Sequence, residues 1–120
     1  MSDSADLTLA HELADVADAI TLSRFRAEDL VVETKPDLTP VSEADHAVEQ
    51  ALRERLAAER PGDSVIGEEY GATAATESRR RWIVDPIDGT KSYVRRIPVW
   101  ATLLALEVDG ELTVAAVSAP

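Results

Sequence analysis

The order of its periodic segments predicts that this chain folds as a layered α+β domain (an α/β sandwich), with two amino-terminal helices packed on a largely antiparallel sheet. Three observations predict it. Apolar residues recur at spacings of three and four over residues 6–26 and again over 44–56, the stripe of a helix with one buried side. Short apolar runs follow at residues 64–67 and 82–84, and runs rich in branched and aromatic residues suit strands. Two longer strand-like runs, 100–108 and 111–118, are joined by Asp109-Gly110, a dipeptide that closes tight hairpins because both residues tolerate positive φ.

The first helix is expected at about residues 6–26, where Leu9, Leu13, Val16, Ala17 and Ile20 share one side and no Gly or Pro interrupts. A short strand is expected at 30–33 (LVVE), and residues 35–40 read as a loop punctuated by Pro36, Asp37 and Pro40. Ser42 is a good N-cap and Asp45 stands three positions on, as in a capping box, so the second helix begins there. Its buried stripe is Ala44, Val48, Leu52 and Leu56, and Pro61-Gly62 ends it. Residues 71–79 are small and polar and read as a surface loop, with Arg79, Arg80 and Arg81 as the solvated start of a strand. Pro86 has no N–H to give a sheet, so the strand through Trp82 is expected to stop at Asp85. Trp82 and Trp100 are expected as core anchors, and His11 and His46 as surface residues outside any chemistry.

Composition excludes several functions. There is no cysteine, hence no disulfide, zinc–thiolate site or thiol nucleophile. No apolar run approaches a membrane span, and the first twenty residues hold five acids and no Lys or Arg, the opposite of a signal-peptide start. A cytoplasmic location is expected. The net charge of −11 repels nucleic acid and anionic lipid, so neither is expected as a partner. It repels a phosphate ester equally. A phosphorylated substrate would need a divalent cation held by carboxylates to stand between.

Residues 85–92 (DPIDGTKS) offer such carboxylates. Asp85 and Asp88 would lie on opposite faces of an unbroken strand, but Pro86 and the permissive Gly89 let the chain aim both at one point. Two carboxylates about 4 Å apart repel by roughly 4 kcal/mol at an effective dielectric near 20. A hard cation such as magnesium or manganese removes that cost. The segment Gly89-Thr90-Lys91-Ser92-Tyr93-Val94 looks like the start of a short helix, stopped by Ile97-Pro98. Amide groups at such a start suit phosphate.

Taken together, these residues resemble the inositol monophosphatase superfamily of metal-dependent phosphatases. The resemblance rests on Gly67-Glu68-Glu69 after a short strand, the W-I-V-D-P-I-D-G-T run from Trp82 to Thr90, and the upstream Lys35, Asp37, Thr39 and Asp45, in that family's order. Residues 32–45 and 89–102 are more narrowly similar to histidinol-phosphatases of that type, with Lys91-Ser92-Tyr93 where inositol monophosphatases more often read Thr-Asn-Phe. The resemblance implies a sugar-phosphatase-type sandwich. It implies metal held by Glu68, Asp85 and Asp88 through carboxylates and by Ile87 through its carbonyl. It also implies that Thr90, supported by Asp45, activates the attacking water, and that Asp88, Gly89 and Thr90 hold the substrate. The implied reaction is in-line attack of a metal-activated water on a small phosphate ester, with Mg2+ or Mn2+ as cofactor. A homodimer is implied for the full-length form. By the same resemblance the 120 residues form the amino-terminal, metal-binding half of the fold, without the later aspartate that completes the metal site in relatives.

Overall fold

The computed structural model describes residues 3–72 and 79–120, so most of the loop expected at 71–79 lies outside the described residues. The element order is α1 (Asp3–Arg24), β1 (Val32–Thr34), β2 (Pro40–Ser42), α2 (Glu43–Glu59), β3 (Ser64–Gly67), β4 (Gly71–Ala72), β5 (Arg80–Asp88), α3 (Thr90–Val94), β6 (Ala101–Val108) and β7 (Glu111–Ser118). The main sheet runs β4-β3-β5-β6-β7. Only β3 and β5 pair in parallel there; the other three pairs are antiparallel.

Helices α1 and α2 cover one face of that sheet. Leu9, Leu13, Ala17, Val48, Leu52 and Leu56 meet Val65, Trp82, Val84, Leu104, Leu106 and Val114 in a single buried cluster. Fully burying a Leu or Val contributes roughly 1.5–3 kcal/mol each, so this layer holds the helices to the sheet. The expected helical stripes are the buried ones, with Val16 and Ile20 only partly covered.

Four expectations are corrected. Helix α1 starts and ends two to three residues earlier than its stripe suggested. Pro40, read as the last residue of a loop, instead opens β2, which pairs with β1 through three residues; at a strand's first position a missing N–H costs nothing to a ladder. Arg80 is not solvated: it bridges buried Asp6 at 2.8 Å and Asp63 at 3.0 Å. The strand through Trp82 does not stop at Asp85. It continues to Asp88 across a bulge, because Asp85 faces Leu103 and Asp88 faces Ala101 on β6. Two residues, Pro86 and Ile87, thus stand opposite Thr102 alone, and the Thr102 hydroxyl donates to the Pro86 carbonyl at 2.8 Å.

Asp109 and Gly110 both take positive φ, 52° and 85°, closing the β6–β7 hairpin as expected. Under α3, Tyr93 packs against Phe25 and Trp100, and its hydroxyl donates to the Thr21 carbonyl at 2.7 Å. Burial pushes the Tyr93 phenol up to about 12. Helix α3 is thereby pinned to the end of α1.

Candidate active site

The bulge decides where the acids of β5 point. Side chains alternate along a strand, so residues three apart normally face opposite ways. One extra residue between Asp85 and Asp88 restores the parity, since their β6 partners Leu103 and Ala101 share a face. Asp85 and Asp88 then line one cleft of about 290 Å³, together with Lys35, Glu68, Ile87 and Thr90.

Helix α2 supplies Asp45 from beneath. Its Oδ2 accepts the Ser42 amide at 2.8 Å and the Ser42 hydroxyl at 2.7 Å, while the Ser42 hydroxyl accepts the Asp45 amide at 3.3 Å, completing the capping box. Its Oδ1 accepts from the Thr90 hydroxyl at 3.0 Å. The helix cap and the bond to Thr90 thus occupy different oxygens of one carboxylate. The Thr90 oxygen also lies 3.0 Å from the Ile87 carbonyl. A hydroxyl has one proton to give, so giving it to Asp45 leaves the Ile87 carbonyl free to serve another partner. Gly89, at φ 88°, starts α3, and a Cβ there would stand 2.9 Å from the Val99 carbonyl oxygen.

Glu68 and Asp85 are in hydrogen-bonding contact across the cleft. The Asp85 carboxyl is raised from 3.8 to about 7, first by burial, then by the bond to Glu68 and the charges of Glu68, Asp88 and Asp45. Its Oδ1 is buried and has no hydrogen-bond partner. Among the described residues, no three acidic or histidine side chains stand close enough to enclose an ion by themselves. The convergence expected of Glu68, Asp85 and Asp88 is therefore a shared cleft rather than a closed cage. A hard divalent cation still fits this donor set: only oxygens are offered, one is orphaned, and their mutual repulsion is relieved by positive charge.

Other placements add partners to the sequence reading. The Lys35 ammonium lies 2.5 Å from a Glu69 oxygen, and that bond raises the Lys35 pKa. Trp82 is fully buried and donates its indole N–H to Asp63 at 2.9 Å. His11 is exposed, and His46 is half-buried and packs edge-on against Tyr70. The sequence reading passed over Glu49, which is completely buried. A signal existed: Asp45, Glu49 and Arg53 are spaced four apart and share one side of α2.

The chain matches the Inositol monophosphatase family over residues 3–120. It is 64% identical over 101 residues to a histidinol-phosphatase of Streptomyces coelicolor, covering 84% of this chain and 37% of the relative. It is 58% identical over 115 residues to a histidinol-phosphatase of Mycobacterium tuberculosis, covering 96% and 44%. The fold is similar to the extragenic suppressor protein suhB of Bartonella henselae, with TM-score 0.90, 28% identity and coverage of 97% and 45%. It is also similar to an IMPase/NADP phosphatase complexed with Mg2+ and phosphate, with TM-score 0.80, 25% identity and coverage of 97% and 44%. The chain spans less than half the length of the curated relatives it matches. With acids, bulge and short helix arranged as described, and a family match across nearly every residue, the chain belongs to the inositol monophosphatase family.

Proposed function

We propose that this chain forms the metal-binding part of a divalent-cation-dependent phosphomonoesterase whose substrate is histidinol phosphate, acting in the cytoplasm. One observation carries the reading: a buried, partnerless Asp85 oxygen faces a cleft shared with Glu68, Asp88 and the Thr90–Asp45 hydrogen bond. Glu68, Asp85, Asp88 and the Ile87 carbonyl would hold the cation, magnesium or manganese. The bound ion would neutralise charge on the attacking and leaving oxygens. The Thr90 hydroxyl donates to Asp45, so its oxygen presents lone pairs that accept a hydrogen bond from the attacking water, and as that water gives its proton to Thr90, Thr90 would pass its own to Asp45. The amides of Gly89 and Thr90 would hold the phosphate beside it. Support for the substrate comes from the names of the two histidinol-phosphatases it matches and from an acidic chain that attracts the ammonium of histidinol.

Two measurements test this. Asp85→Asn should weaken manganese binding at least tenfold, about 1.4 kcal/mol, by calorimetric titration; unchanged binding removes Asp85 from the site. In steady-state kinetics, Thr90→Ala should lower kcat far more than it raises KM, because its role is toward the water rather than ground-state binding. A specificity constant higher for inositol phosphate than for histidinol phosphate refutes the substrate while leaving the chemistry standing.

A further inference from the structure

Gly67 ends β3 immediately before Glu68, and a Cβ on it would lie 2.2 Å from the Glu49 carboxylate carbon. That carboxylate is completely buried, yet it is fully engaged. One oxygen accepts the Glu69 amide at 2.7 Å; the other accepts the Tyr70 amide at 2.8 Å and the Arg53 guanidinium at 3.0 Å. Arg53, one turn further along α2, also donates to the Gly71 carbonyl and lies over the Tyr70 ring. The turn after Glu68 is therefore gripped at two amides and one carbonyl by side chains four residues apart on a single helix. Nothing in this arrangement touches the cleft. What it does is fix the backbone on which Glu68 is mounted.

We infer that Glu49 is a positioning residue for the cation site, holding Glu68 against Asp85 through the amides of Glu69 and Tyr70. The inference rests on the proposed role of Glu68 as a ligand. A buried carboxylate accepting two amides is stiff, because each bond is charge-assisted and none competes with water. Releasing it frees the turn and lets Glu68, itself exposed, swing into solvent. Gln at position 49 keeps the volume but turns an N–H2 toward at least one donor. Ala at position 67 keeps the charge but displaces the carboxylate from its amides.

The test is calorimetric titration of the protein with manganese alone, beside thermal melts. Glu49→Gln and Gly67→Ala should each raise the manganese Kd by about ten- to a hundredfold, the usual effect of losing a group that orients a ligand. Asp63→Asn, in the buried ion network away from the cleft, should lower the melting midpoint and leave Kd unchanged; this separates positioning from general stability. If Glu49→Gln does not fold, Gly67→Ala decides. A Kd within about threefold of the unmodified protein in the folded variants overturns the inference. Glu68→Gln locates the fault: unchanged manganese binding there overturns the ligand assignment and the inference together, whereas weakened binding there with normal binding in the Glu49 and Gly67 variants overturns the inference alone.

Discussion

Asp45 divides its two oxygens between a helix cap and the Thr90 hydroxyl, so one substitution should read out twice. Asp45→Asn should destabilise the fold by about 1 kcal/mol, as lost caps do, and lower kcat by more than the stability loss explains. Denaturant melts and steady-state kinetics on one preparation separate the two effects. Asp85 makes a different claim. Its carboxyl lies at about 7 rather than 3.8, so the folded, metal-free protein binds this proton more tightly than the unfolded chain does. The associated stability is present below about pH 4 and is lost as pH rises through about 7. In chelator, the Asp85 contribution should lower the melting midpoint between about pH 4 and about pH 7, and Asp85→Asn should flatten that fall; an equal fall in the variant removes Asp85 as its source. Cation binding should strengthen over the same window, because the proton must leave. At this scale the acids were legible as types and spacings. Their partners were not, since Lys35 meets Glu69 and Arg80 meets Asp6 across 34 and 74 positions of chain, distances that no local pattern encodes.

Elements were legible where local chemistry alone decides them. The capping box at Ser42 and the Asp109-Gly110 turn need only neighbours in sequence, and both formed as read. The extension of β5 past Pro86 was not legible, because the proline's missing donor is accommodated by a bulge that exists only once β6 lies alongside. Strand β2 is three residues long and is defined entirely by pairing with β1. The hairpin allows a direct check. Gly110→Ala places a Cβ at φ 85°, which should cost about 1–2 kcal/mol in urea melts while leaving manganese affinity unchanged. A change in affinity would mean that the hairpin communicates with the cleft.

The whole molecule carries helices on one face of its sheet only, among the described residues. On the other face, Ile66, Ile83, Ala105 and Ala115 stand in register across four strands, and Asp85, Leu103 and Val117 form the next row. Val117 is 70% exposed on β7, which bounds the sheet. An apolar row beside an unpaired strand edge promotes association. Sedimentation of the 120-residue protein should show self-association that rises with concentration, and Val117→Lys should suppress it. A monodisperse monomer at high concentration would refute this. The charge of −11 opposes such contacts at low salt, so added salt should strengthen them.

Helix α2 presents Asp45 to the start of α3 and Glu49 with Arg53 to the turn after Glu68, from positions one turn apart. The spacing between the Thr90 hydroxyl and the Glu68 turn is therefore measured in helical pitch, about 5.4 Å per turn. An inserted residue between Asp45 and Glu49 would rotate everything beyond it by about 100° and swing Glu49 off the turn it grips. Seven inserted residues would restore the angle but displace it by about 10 Å along the axis. A substitution on this stripe alters one grip at a time, whereas a change in helix length between them alters every grip beyond it. In a lineage of such proteins, α2 should accumulate substitutions freely on its outer side and tolerate no insertion or deletion between residues 45 and 53.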